Sequence, residues 1–294
     1  MSLDTALELI ESVKDYRVLF VGETIVDEYH YVTALGKSPK EHLIPVLYHD
    51  QEVFRGGVIA AANHVRSFCK TVDICTGAAP VRKVRYVESF SNSYGLKKLF
   101  EVQYNQGHPS AVDGCFYGDY DVVVVADFGH GYITSDMIEK LCKMPYIAVA
   151  AQTNSSNIGY NPITKYPRAD YIVVDEPEAR LAVGDRVSPI PELMAKLALS
   201  RCNKIAVTHG RHGSYGLQAG KFIQRPAFPN KTLDTMGAGD AFFAVTAPMS
   251  KTGDIHDLLL IGNAAGAIKC EIPGHRESVT KSKLIDFLKT HDAR

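Results

Sequence analysis

The sequence predicts an α/β fold, a doubly wound, mainly parallel sheet with helices on both faces. Three observations carry this. Asp121–Ala126 (DVVVVA) is a β-branched run without polar alternation, as a strand covered on both faces requires. Runs of that type alternate with helical patterns along most of the chain, the order that builds parallel sheets. Gly237-Ala238-Gly239-Asp240 stands directly before an apolar helical pattern, and ligand sites of open α/β sheets sit at such turns.

The elements follow in order. Arg17–Val21 reads as a buried strand closed by Gly22, Val58–Phe68 as a helix of small residues, and Val72–Cys75 as a short strand. Tyr146–Ala151, Tyr171–Val174 and Lys204–Thr208 repeat the buried-strand type. Helical segments near 134–142, 178–183 and 190–200 separate them. Helices at about 238–247, 256–270 and 281–290 complete the chain. Two stretches, about 28–54 and 80–105, break the alternation with patterns of one wet face, as in Lys98-Leu99-Phe100-Glu101-Val102-Gln103-Tyr104. They predict a small β-sheet excursion from a single domain spanning 1–294. Its expected role is a lid over a substrate or a homodimer surface, since an exposed strand edge invites pairing.

Composition narrows the function. The 294 residues carry 32 basic and 33 acidic side chains, 46% hydrophobic and 22% charged residues. That is a globular composition, and a net charge of −1 gives no footprint for nucleic acid or an anionic membrane. Six cysteines, at 69, 75, 115, 142, 202 and 270, lack Cys-x-x-Cys spacing, so metal staples and disulfides are not expected and a reducing, cytoplasmic location is. The N-terminus, with Asp4, Glu8 and Glu11, does not read as a signal peptide, and no apolar run is long enough to span a bilayer. The eleven histidines show no His-x-x-x-His spacing, and solvated or singly hydrogen-bonded rings are expected.

The chemistry concentrates at Asp234-Thr235-Met236-Gly237-Ala238-Gly239-Asp240. Glycines let backbone approach a ligand, and the unpaired N–H groups of a helix's first turn attract an anion. A carboxylate inside such a cradle repels phosphate, so its presence points to something beside the phosphate that must lose a proton. Rival phosphate motifs fail. Gly220-Lys221 is followed by Phe222 and preceded by Tyr215 where a P-loop needs glycine, and Gly129-His130-Gly131 meets Thr134 where a dinucleotide fingerprint needs glycine.

The string from Asp234 to Asp240 resembles the second signature of the PfkB (ribokinase-like) carbohydrate kinases at every specified position. The resemblance implies a ribokinase-like fold, ATP and Mg²⁺ as cofactors, Asp240 as catalytic base, and an anion hole from the amides of Gly237, Ala238 and Gly239. It places sugar contacts at Asp27, Gly56 and Gly57. Ala60 stands where the family has asparagine, with Asn63 nearby but out of register. Val207-Thr208-His209-Gly210-Arg211-His212-Gly213 resembles the nucleotide-side turn, giving Thr208, Gly210 and Gly213. Asp175-Glu176-Pro177-Glu178 resembles the Asn-x-x-Glu motif, with Glu178 as the metal-side residue and Asp175 replacing asparagine. Asn263 falls where relatives line the adenine pocket. A strand-end loop and a glycine hairpin are the alternatives for Asp27 and the 208–213 turn, and a packed helical asparagine would account for Asn263 equally well.

Within the family, the chain is most similar to the heptose 7-phosphate kinase domain of bacterial ADP-heptose biosynthesis. Gly22-Glu23 to Asp27-Glu28-Tyr29, Ser38–Val46 and Ala126-Asp127-Phe128-Gly129-His130-Gly131 carry that likeness, with His130 in place of lysine. It implies phosphate transfer from ATP to the anomeric hydroxyl of a sugar phosphate, and a separate nucleotidyltransferase in the same pathway. Lys83, Arg85, Lys97 and Lys98 are the candidates for holding the acceptor's phosphate. Other acceptors (a hexose phosphate, a pentose or a nucleoside) and a catalytically silent, ligand-binding relative are the alternatives.

Overall fold

The computed structural model describes residues 3–89, 96–104, 118–198, 202, 204–229 and 231–292; Cys115 and the predicted excursion's residues 90–95 and 105 lie outside them. The chain runs α1 (Leu3–Ser12), β1 (Arg17–Gly22), β2 (Thr24–Ala34), β3 (Val46–Gly57), α2 (Val58–Asn63), β4 (Thr71–Cys75), β5 (Val81–Ser89) and β6 (Leu96–Tyr104). It continues through β7 (Val122–Asp127), α3 (Ser135–Leu141), β8 (Ile147–Ala151), β9 (Tyr171–Asp175), α4 (Glu176–Val183), α5 (Ile190–Ala198) and β10 (Lys204–Thr208). Last come β11 (Ser214–Gln218), β12 (Lys221–Arg225), α6 (Ala238–Met249), α7 (Ile255–Cys270) and α8 (Lys281–Asp292).

The main sheet has the order β12-β11-β10-β9-β8-β7-β1-β4, parallel from β10 through β4 and closed on the other side by the antiparallel β11–β12 hairpin. Alternate residues of each inner strand feed different cores. Val18, Phe20, Val122 and Val124 pack with α1, α2, α6, α7 and α8, while Leu19, Val21, Val123 and Val125 pack with α3, α4 and α5. Burial on both faces is why these strands read as unbroken apolar runs.

The second sheet has the order β3-β2-β5-β6, with β2 and β5 parallel and the outer pairs antiparallel. It starts earlier than the predicted 28. Only Glu23 separates β1 from β2, so Asp27 sits on the second sheet and not at the end of the first strand. The helix predicted at 58–68 is regular only to Asn63; tighter turns follow, and buried His64 accepts the Val279 amide at 2.8 Å.

The expectation of no disulfide is corrected at Cys75, which is disulfide-bonded. Spacing along a chain does not tell which thiols meet in space, and Cys75 lies buried at the end of β4. Cys69, Cys142 and Cys202 are reduced thiols. Among the described residues no helix is long and apolar enough to cross a membrane.

Candidate active site

A cleft of about 280 Å³ opens between the carboxyl ends of the main-sheet strands, the second sheet and the start of α6. It is bordered by residues from sequence-distant elements, among them Asp27, Gly57, Asp175, Glu178, Thr208, Gly237, Gly239 and Asp240.

One wall of the cleft is the beginning of α6. Gly237 is its N-cap in the left-handed conformation (φ 73°) and no side chain caps the helix, so the positive end of the dipole lies at the cleft, with the Ala238 amide donating to the Thr235 carbonyl at 3.3 Å. A left-handed residue with a Cβ is strained, and here the Cβ would also meet the His275 ring at 3.3 Å. A Cβ on Gly239 would point into open space, the room an anion needs. Asp240 projects from the same turn. Gln152, just past β8, donates to its Oδ1. Burial holds the Asp240 carboxyl above its ordinary value, against the attraction of His275, the Gln152 bond and Lys269. A carboxylate so raised is the better proton acceptor.

Asp234 braces this turn. Its carboxylate, 4% exposed, accepts from the amides of Met236 and Gly274, both at 3.0 Å, from the Tyr29 hydroxyl at 2.9 Å and from Lys98 at 3.1 Å. Lys269, fully buried, donates to the carbonyls of Met236, Ile272 and Gly274 at 2.9, 3.1 and 2.7 Å. The two ends of the loops around the anion cradle are thereby pinned from opposite sides.

The facing wall of the cleft is the second sheet. Asp27 is buried, with Oδ1 held by Arg85 and Oδ2 3.4 Å from His275 Nε2. Burial would raise its carboxyl, but the contact with His275 and the Arg85 charge win and hold it below the usual range. Arg85 also pairs with Glu101 at 2.7 Å. Lys83 lines the cleft at 7% exposure and makes no ion pair among the described residues. Burial lowers its ammonium, partly offset by Glu101, Asp27 and Asp240. His130 has a buried Nε2 without a hydrogen-bond partner, and burial together with Lys83 takes its ring down to about 4.

Asp175 and Glu178 form a capping box on α4, each accepting the other's amide, at 2.7 and 2.8 Å. Burial, then the Asp175 charge, pushes Glu178 up to about 8, and burial with the Glu176 charge raises Asp175 against the bond from the Glu178 amide. With Asp240 they make a patch of disfavoured negative charge on one wall of the cleft, which suits Mg²⁺ carried in with phosphate oxygens. Among the described residues no three ligating side chains gather closely enough to hold a metal by themselves.

Several residues predicted for the site do not line this cleft. Gly56 lies one position back, where a Cβ would collide with Asp27 Oδ2. Ala238 is on the helix turn itself, and Gly210 opens a short 3₁₀ turn after β10 that Gly213 closes, with Gly213 packed on the Arg225 carbonyl. Asn63 accepts from Arg66 at 3.0 Å outside the cleft. Asn263 borders a second cavity of about 290 Å³ with Pro226, Ala227, Phe228 and Leu260, and donates to the Pro226 carbonyl at 3.0 Å. Gln152, Asp234, Lys269 and His275 were not assigned roles from sequence. Gln152 follows a strand's carboxyl end, a usable signal; His275 follows a Pro-Gly turn and carries none.

Residues 149–282 match the sequence family described as pfkB family carbohydrate kinase. Ribokinase from Arabidopsis thaliana, solved with ribose and ATP, superposes with a TM-score of 0.68 over 94% of this chain and 99% of that one, at 16% identity. Phosphofructokinase-2 from Escherichia coli, in complex with potassium, gives 0.69 over 95% and 100% at 11% identity. This is a ribokinase-like fold. The bifunctional protein HldE of Rhodopseudomonas palustris (strain BisB18) is 25% identical over 310 residues. That alignment takes in 91% of this ribokinase-like chain and 62% of HldE, so the chain spans about three fifths of the length of that relative.

Proposed function

We propose that this chain transfers the γ-phosphate of ATP to a hydroxyl of a phosphorylated sugar, the anomeric hydroxyl of a heptose 7-phosphate being the first acceptor to test. The observation that carries the reading is the meeting, in one cleft, of Asp240 on an uncapped helix start with Asp27 and the buried Lys83 on the opposite wall.

Asp240 takes the proton as the acceptor oxygen attacks the γ-phosphorus. The bond to the bridging oxygen breaks and ADP leaves, while the amides at Gly237, Ala238 and Gly239 hold the oxygens that carry the charge. Glu178 and Asp175 are the residues that would hold Mg²⁺ together with the nucleotide, and the ion would supply charge neutralisation there. Thr208 borders the phosphate side, and the cavity beside Asn263, with its apolar wall, suits the adenine.

Four basic residues were candidates for the acceptor's own phosphate. Lys98 is tied to Asp234 and Lys97 lies off the cleft, while Arg85 already serves Asp27 and Glu101. That favours Lys83, whose ammonium has no such partner among the described residues, and it favours a phosphorylated acceptor over a free pentose or nucleoside. An acceptor panel followed by ADP release tests this: turnover confined to neutral sugars or nucleosides overturns it, and ligand binding without ADP points to a silent relative. The second sheet exposes Leu47, Val53 and Phe100, at 52, 58 and 47%, and a second copy of the chain would cover them in a homodimer. A product with an anomeric phosphate is what a separate nucleotidyltransferase would consume.

A further inference from the structure

His275 belongs to no motif of the sequence, yet it stands where the two halves of the cleft meet. Its side chain is 9% exposed and lines the cleft. On the acceptor side, Nε2 lies 3.4 Å from Asp27 Oδ2, the oxygen that Arg85 leaves, and 3.3 Å from where a Cβ on Gly56 would be. On the phosphate side, Cε1 lies 3.3 Å from where a Cβ on Gly237 would be, and Asp240 Oδ2 is 3.9 Å from the same point. A Cβ at either glycine would press on the ring and displace it by a few tenths of an ångström.

The ring is also firmly placed. Gly274, left-handed at φ 53°, donates to Asp234 and accepts from Lys269, and Arg276 pairs with Glu52 on β3 at 3.0 Å. The Phe54 ring meets it edge-on at 6.4 Å. A donor held this tightly against a buried carboxylate fixes that carboxylate's plane, and a buried carboxylate gripped at one oxygen only would turn.

We propose that His275 is a positioning residue for the acceptor: by holding Oδ2 of Asp27 while Arg85 holds Oδ1, it aims the remaining lone pairs of Asp27 at the acceptor hydroxyls beside the α6 cradle. This rests on the kinase reading above. It acts through Asp27, so its signature is a split between the two substrates.

The test is steady-state kinetics of His275→Leu, His275→Asn and His275→Gln with acceptor and ATP varied separately. His275→Leu raises the acceptor KM roughly tenfold, the scale of one lost hydrogen bond to a charged group, and leaves the ATP KM within about twofold. His275→Gln, whose amide nitrogen reaches the place of Nε2, recovers most of the loss, and His275→Asn, which is too short, does not. An unchanged acceptor KM, or equal changes for both substrates, overturns the proposal. Should the wild-type protein turn over no acceptor, the kinase reading fails by itself, and ¹³C NMR titration of the Asp27 carboxyl still decides the residue's role. Asp27 titrates at higher pH in His275→Leu and returns towards the wild-type value in His275→Gln; an unmoved midpoint overturns it. Thermal unfolding of each variant identifies any that fails to fold, and the remaining two then carry the comparison.

Discussion

Tyr29 on β2 donates its hydroxyl to Asp234 across 2.9 Å, joining the second sheet to the loop that presents Asp240. The bond is buried, and burial with the Asp234 charge pushes the phenol well above its ordinary value, so it remains a donor at any working pH. Tyr29→Phe is expected to lower stability by about 1 kcal/mol. Asp234→Ala strands two backbone amides and Lys98 and should cost about 3 kcal/mol or more. Denaturant unfolding of the two variants measures the difference.

Asp240→Asn keeps shape and the cradle amides but cannot take a proton. Turnover with a confirmed acceptor should fall by roughly 10²–10⁴-fold, while nucleotide affinity measured by calorimetry stays close to wild type or tightens as the repulsion is lost. Undiminished turnover would remove Asp240 from the role of base.

Gly237→Ala forces a Cβ into the left-handed region, at a cost of about 1–2 kcal/mol. Its added methyl presses on His275, so the acceptor KM and the kcat should both worsen. A Gly239→Ala change is sterically free in the protein alone, since nothing lies within 4 Å. Its damage should therefore appear in nucleotide binding and turnover and not in the melting temperature.

Glu178 gives a pH prediction with a definite sign. Its carboxyl is raised from 4.5 in a free chain to about 8 in the fold. Between those values the native state keeps a proton that the unfolded chain has released, so this group's contribution to stability falls as pH rises through the window. Glu178→Gln, which can still complete a capping box, should melt higher than wild type at pH 8 and nearly together with it at pH 4.5. Binding of Mg²⁺ with nucleotide at pH 7 should release a proton, detectable by calorimetry in buffers of different ionisation enthalpy. An uptake of protons would contradict the placement of Mg²⁺ beside this wall.

The buried strands were legible because each faces two cores, which writes an unbroken apolar run into the sequence. The α6 cradle was legible because its chemistry is local, seven residues in one turn. Helix α1 carries only three buried positions in ten residues, Ala6, Leu9 and Ile10, a short helical repeat that stands out little in sequence. The start of the second sheet was misplaced because Thr24–Asp27 continues β1's apolar pattern through a single-residue joint. The contacts of His275, Gln152 and Lys83 depend on which loops meet in space, and no period or motif encodes that. The bond at Cys75 escaped for the same reason.

The direct run of β1 into β2 through Glu23 has a consequence for how such a catalyst can change. Asp27, Lys83 and Arg85 all ride on the second sheet, whereas Asp240, Glu178 and Thr208 belong to the main body. On the kinase reading proposed above, choice of acceptor and delivery of phosphate are thus written on separate pieces of scaffold. Residues on the inner surface of β2 and β5 can be exchanged to accept a new sugar while the transfer machinery is left intact, which makes the small sheet the natural cassette for redesign.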